Sequence, residues 1–115
     1  MATGFTEDHQ GNIWIGTNND GVYRYNNGTW ERFLSTDAGV KLPNDQVNCV
    51  VAGPDGRLWF GTSHGAAIFD GSSWYEIPAE AGLVNEVVNG IYIDSSGAVW
   101  FGINGGITRW EPYKP

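Results

Sequence analysis

Short apolar runs separated by glycine-rich polar clusters set the pattern of this chain, and one run is written three times. Gly11-Asn12-Ile13-Trp14-Ile15-Gly16-Thr17 is followed by Gly56-Arg57-Leu58-Trp59-Phe60-Gly61-Thr62 and then by Gly97-Ala98-Val99-Trp100-Phe101-Gly102-Ile103. In a strand, Asn12, Trp14 and Gly16 point to one face and Ile13, Ile15 and Thr17 to the other. Both faces carry bulky apolar groups, so the run reads as a strand buried on two sides. Its closing glycine (Gly16, Gly61, Gly102) leaves room for a neighbouring layer. No window sustains a helical period.

The central tryptophans, Trp14, Trp59 and Trp100, stand 45 and 41 residues apart. A repeat of roughly 40–45 residues with aromatic and glycine signatures is that of a β-propeller blade. In register with the Trp run lie three inner strands, at 2–6, 47–51 and 88–92. Turns with Asp8 or Asp94 first and Gly11 or Gly97 fourth join inner strand to Trp strand. The carboxylate caps the turn's amides there. The second copy uses Gly53-Pro54-Asp55-Gly56 instead. Third strands are expected at 22–25, 66–69 and 107–110, and outer strands at 29–33 and 73–77. Asn27-Gly28 and Asp70-Gly71 mark the hairpins between them. After Trp110 the segment Glu111-Pro112-Tyr113-Lys114-Pro115 offers no outer strand, since proline disfavours a central one. The fold expected is all-β: blade 1 at 1–33, blade 2 at 42–77 and an incomplete blade 3 at 83–115.

Sixteen aromatic and seventeen glycine residues suit this reading of short strands and tight turns. Thirteen acidic against six basic residues give a net charge of −7, which speaks against nucleic acid and anionic membranes. No segment approaches the ~20 apolar residues of a membrane helix, and no charged-then-apolar leader opens the chain. Cys49, the single cysteine, excludes an intrachain disulfide and reads as a small buried hydrophobe.

Strand alternation puts the turns between second and third strands, together with the long connections between blades, on one end of the sheets. That end gathers Asn18, Asn19, Asp20, Asn44, Asp45, Ser63, His64, Asn85, Glu86 and Asn104. Loops on a rigid scaffold are where binding groups sit, and amides and carboxylates near aromatics suit a sugar-like ligand. The same residues are also ordinary turn formers. The ligand-binding candidates are Asn18, Asn19, Asp20, Ser63, His64 and Asn104. Trp30 and Trp74 read either as stacking platforms for a sugar or as packing against the next blade. His64 has no counterpart in the other repeats, and His9 belongs to the opposite end. Two histidines and one cysteine make no zinc set, and Asp8 to Gly11 lacks the alternating oxygens of a calcium loop. Nor does the turn match the Asp-box of sialidase propellers. No phosphate loop, nucleophile elbow or acid–base pair is present, so neither catalysis, a metal nor a cofactor is expected.

Gly11 to Thr17 followed by Gly21-Val22-Tyr23-Arg24-Tyr25 resembles the two-component regulator propeller repeat. Leu42-Pro43-Asn44-Asp45-Gln46-Val47, Gly56 to Thr62 and Phe69-Asp70-Gly71 with Trp74 resemble it too. The resemblance implies blades of a ligand-sensing domain of hybrid histidine kinases, periplasmic or extracellular, of the kind that senses polysaccharide fragments. The alternatives are a purely structural self-assembling fragment and a propeller lyase or lectin. Closed propellers carry 4–8 blades, so copies of this chain are expected to complete a ring. Two copies give six blades and three give nine.

Overall fold

The computed structural model describes residues 1–78, 81–83 and 86–111. Asn85 and the prolines at 112 and 115 lie outside them. Eleven strands in three antiparallel sheets make up the described residues. The first sheet runs β1 (Ala2–Glu7), β2 (Ile13–Thr17), β3 (Val22–Asn26), β4 (Thr29–Phe33) in spatial order. The second runs β5 (Val47–Ala52), β6 (Leu58–Thr62), β7 (Gly65–Phe69), β8 (Trp74–Glu76). The third holds β9 (Val88–Ile93), β10 (Val99–Ile103) and β11 (Gly106–Trp110), with β10 in the middle. Each sheet is a meander, which is the form of a propeller blade. The outer strand of the second sheet is shorter than the 73–77 expected from sequence.

Local chemistry accounts for the reversals. Asn27 and Gly28 both take positive φ (48° and 88°), the pair of conformations that a tight hairpin with the sheet's own twist requires. Each inner strand carries an irregularity in its pairing with the Trp strand, between Ala2 and Gly4 and between Val47 and Cys49 for example. The backbone N–H groups of Asn18, Ser63 and Asn104 donate to the carbonyls of Met1, Gln46 and Val87. The second turn of every blade is thereby tied to the start of its own inner strand.

Two cores lie between the sheets. Trp14, Val22, Val50, Leu58, Phe60, Phe69 and Trp74 fill the space between first and second sheets, with Phe33 packed against them. Trp59, Ile68, Val88, Val99 and Phe101 fill that between second and third, joined by Ile91 and Trp110. Trp74 therefore packs back on the preceding blade, where its ring meets Trp14 and Phe33, and not on the next one as the sequence suggested. The reason is parity. Trp74 pairs with Phe69 and shares its face, and that face looks toward the first sheet.

Two of the closing glycines, Gly16 and Gly61, are positions of close approach. A Cβ on Gly16 would stand 2.8 Å from a methyl of Val47 and 2.9 Å from one of Val50. On Gly61 it would stand 2.6 Å from Cys49 Sγ and 2.7 Å from a Val88 methyl. On Gly102 nothing but the Gly90 backbone comes within 4 Å, at 3.9 Å. Gly61→Ala is therefore expected to destabilise the chain by about 1–3 kcal/mol through overpacking. Gly102→Ala should stay within about 0.5 kcal/mol of the parent. Denaturant unfolding in dilute solution checks the pair.

Candidate functional site

The three turns that join inner strand to Trp strand converge on one end of the sheets. They surround a cavity of about 690 Å³ lined by Glu7, His9, Pro54, Asp55, Ile93 and Asp94, among others. Its walls mix carboxylates, hydroxyls of Ser95 and Ser96, and the apolar edges of Ala52 and Ile93. The opposite end holds a cavity of about 280 Å³ between Pro43, His64, Glu76, Ile77 and Leu83. Sequence reasoning favoured the second end, and the larger space lies at the first. His64 and His9 stand at opposite ends, as strand alternation requires.

Of the six candidates, His64 lines the smaller cavity, where its backbone N–H donates to Thr62 Oγ1. Asn104 accepts a hydrogen bond at Oδ1 from Asn89 Nδ2 (2.9 Å). Asp20 is already engaged, accepting from the Tyr23 hydroxyl and from Arg32 Nη1. Asn18 is fixed through its backbone to Met1, and Asn19 adopts a positive φ of 79° within the same turn. Ser63 is tied in the same manner to Gln46. The structure thus puts His64 beside Pro43 and Leu83 of the inter-blade connections. Asp20 is bound up with Tyr23 and Arg32 on the far side of the first sheet.

Sequence reasoning missed the indole caps. Asp8 Oδ2 accepts from Trp14 Nε1 (2.8 Å), and Asp94 Oδ2 accepts from Trp100 Nε1 (2.9 Å). Their Oδ1 atoms take the turn amides, Gln10 and Asn12 in one case, Ser96 and Ala98 in the other. Burial pushes the Asp8 carboxyl up. Hydrogen bonds from the Trp14 indole, the Asn12 side chain and the turn amides outweigh this and hold it below its ordinary value. Asp94 is held far below the carboxylate range, by the Ser96 hydroxyl first and the Trp100 indole next. In the second sheet Gly53 occupies the capping position, and Trp59 Nε1 is buried with no hydrogen-bond partner among the described residues. The signal was legible as an Asp six residues before the Trp, present at Asp8 and Asp94 and absent at Gly53.

Each capped Trp carries an arginine. Arg24 lies 5.2 Å from the Trp14 ring centre and 5.3 Å from that of Phe33, and pairs with Glu31. Arg109 lies 5.4 Å from the Trp100 ring centre and pairs with Glu111. These are cation–π contacts that cover a ring face, and nothing in them resembles a reaction centre. The Cys49 thiol is partly buried and pushed up to about 11 by that burial, so it is no nucleophile at neutral pH. Among the described residues no cluster of His, Cys, Asp and Glu is placed to hold a metal ion, and no helix is long and apolar enough to cross a membrane.

Sheets of this form, packed face to face with the inner strands β1, β5 and β9 in contact one after the next, are blades of a β-propeller. The chain belongs to the two component regulator propeller family, whose signature matches residues 2–19, 41–64 and 82–105. Solved structures agree on the fold. The extracellular domain of BT3049 from B. thetaiotaomicron, assigned to a hybrid two component system, is similar at a TM-score of 0.82 and 23% identity. That match covers 99% of this chain and 15% of the other. The extracellular domain of BT4673 from the same organism, given the same assignment, is similar at 0.79 and 19% identity, covering 96% and 15%. Virginiamycin B lyase from Staphylococcus aureus is similar at 0.65 and 18%, covering 99% and 42%. The chain thus spans 15% of the length of each of the two extracellular domains. A comparison with curated proteins found no match.

Proposed function

We propose that this chain is a non-catalytic, ligand-sensing propeller module acting outside the cytoplasm, whose ring is completed by further copies of itself. The observation that carries the reading is the run of three regulator-propeller repeats in one register. The likeness to extracellular domains of two component systems supports the compartment and the sensing role. A short saccharide is the ligand class favoured by the end that carries Asn18, Asn19, Asp20, Ser63, His64 and Asn104. Of these residues His64 lines an open cavity, which it shares with the Glu76 carboxylate.

Titration with short neutral oligosaccharides, followed by NMR, tests this. Shifts are expected at His64, Ser63 and Asn104. Shifts confined to the turns around Asp8, Asp55 and Asp94 would move the site to the larger cavity at the other end. One observation favours a second reading: Glu76 lines the same cavity as His64, and the fold also serves a lyase. Turnover lost in both His64→Ala and Glu76→Gln would establish that alternative in place of the sensor.

A further inference from the structure

We propose that the larger cavity binds a small molecule carrying a hydroxyl and a protonated amine, and that the Trp59 indole donates to the hydroxyl. This site stands at the end opposite His64 and is independent of the saccharide proposed there.

The sister turns show what the Trp59 indole lacks. In the first and third sheets the turn opens on an aspartate, and its carboxylate does two jobs. One oxygen takes turn amides, those of Gln10 and Asn12 in one sheet and of Ser96 and Ala98 in the other. The other oxygen takes the indole N–H, at 2.8 Å from Trp14 and 2.9 Å from Trp100. The second sheet opens the same turn on Gly53, whose N–H donates to the Arg57 carbonyl (2.7 Å). Asp8 and Asp94 make that backbone bond to Asn12 and Ala98, so the turn is kept and only the carboxylate is gone. Asp55 takes over the first job: its Oδ1 accepts from the Arg57 N–H (3.2 Å), and its Oδ2 from Arg57 Nε (2.7 Å). The second job falls to no side chain among the described residues. Trp59 Nε1 is buried there without a hydrogen-bond partner, in a residue that is 0% exposed. Such a donor gains the whole of a hydrogen bond when an acceptor arrives.

The indole is aimed at the cavity. Trp59 lies 6.3 Å from Phe101 at 51°, much as Trp14 lies 5.8 Å from Phe60 at 56°. Its N–H therefore points to the place that a carboxylate at position 53 would take. Gly53, Ala52 and Ile93 border that place, and all three line the cavity of about 690 Å³. A Cβ on Gly53 would stand 3.1 Å from Asp55 Oδ1 and 3.2 Å from Ile93 Cδ1, besides the Arg57 carbonyl at 3.2 Å. The two side-chain tips turn about single bonds, so an oxygen can enter between them from the cavity. Sheets are packed on both sides of the second one, so the walls of this site belong to the chain itself.

The lining decides the charge of the guest. Glu7, Asp55 and Asp94 bring carboxylates, with no lysine or arginine among the described residues that line the space. Asp55 is paired with Arg57, whereas Glu7 makes no ion pair among the described residues. Asp94 is held ionised by the Ser96 hydroxyl and the Trp100 indole. An acidic guest is repelled by such walls, and an ammonium group is drawn to Glu7 and Asp94. A hydroxyl suits the indole, because it accepts from Nε1 and donates onward to a carboxylate.

The probe is glucosamine, added to the whole chain and followed by NMR at the indole and backbone N–H signals. Glucose and glucuronate serve as its neutral and acidic counterparts. Glucosamine is expected to move the Trp59 indole signal with a dissociation constant on the order of millimolar, and to leave that of Trp14 in place. Glucose should bind at least about 3-fold more weakly, and glucuronate more weakly still. Trp59→Phe should weaken glucosamine roughly 3–10-fold, read at the amides of Asp55 and Ser96, and Glu7→Gln by a similar factor. Gly53→Asn lodges a neutral acceptor at the indole and should weaken it by about as much. Gly53 is not among the glycines of positive φ, so asparagine suits its backbone. Binding left unchanged by Trp59→Phe, or by a folded Gly53→Asn, overturns the site. So does glucuronate binding as tightly as glucosamine, or a Trp59 signal that none of the three moves up to about 0.1 M. Shifts at His64, Ser63 and Asn104 report on the saccharide end, so the two readings stand or fall by different signals.

Discussion

Trp59→Ala is expected to lower the unfolding free energy by about 3–5 kcal/mol, and Trp14→Ala by as much, since each empties a wholly buried indole site. Such a loss is a large share of the ~5–15 kcal/mol that holds a domain folded. Trp100→Ala, at the same place in the repeat, should cost less than half as much in the dissociated chain, because its ring is already partly in water. Replacement by phenylalanine separates packing from hydrogen bonding. Trp14→Phe removes one of the two side-chain donors to the Asp8 carboxylate and part of a buried ring, and should cost about 1–3 kcal/mol. Trp59→Phe removes a buried donor that has no hydrogen-bond partner among the described residues, so the loss of ring area is offset and the change should be under about 1 kcal/mol. Urea unfolding of the five variants in dilute solution reads all of this. Equal losses at Trp59 and Trp100 would contradict the placement of the two cores.

Asp8→Ala is expected to destabilise the chain by about 1–3 kcal/mol, as it leaves the Trp14 indole and two turn amides without their acceptor. The effect should depend on pH in a fixed direction. Asp8 titrates lower in the folded chain than unfolded, so its contribution is present in full above the ordinary aspartate value of about 3.9. It is lost as pH falls through the lower, folded value. Asp70 and Asp94 are also lowered, Asp70 by the backbone N–H groups of Ser72 and Ser73, so wild type should lose stability steeply below about pH 4. The gap between wild type and Asp8→Ala should narrow over the same interval. Melting temperatures of both proteins from pH 7 down to the acid limit of solubility check it. A gap that widens on acidification would mean that the carboxylate is not an acceptor.

The local code of this protein is written in its sequence. Alternation within Gly11 to Thr17 and its copies specifies two-sided strands, because side chains in an extended chain must alternate. Asn27-Gly28 and the Asp8 turn specify reversals, because few residues tolerate positive φ or cap a turn. The period of the tryptophans specifies blades, and the repeat identifies the family. The asymmetry among equivalent residues is what only the tertiary structure decided. Trp14, Trp59 and Trp100 have the same local sequence environment, yet two are buried and one is not. Burial of a blade face depends on the next blade, some forty residues away. Trp74 reaches back and not forward for a similar reason: strand parity fixes the face, and sheet order fixes what that face meets. The candidate site divided in the same manner. Sequence placed His64 and Asn104 on one end. Only the packing of the sheets put the larger cavity at the other, while strand pairing inside the first and third sheets engaged Asp20 with Tyr23 and Arg32 and joined Asn104 to Asn89. The cavity joins turns of different sheets, and Asp20 and Asn104 are engaged across strands, relations that no residue pattern along one strand encodes.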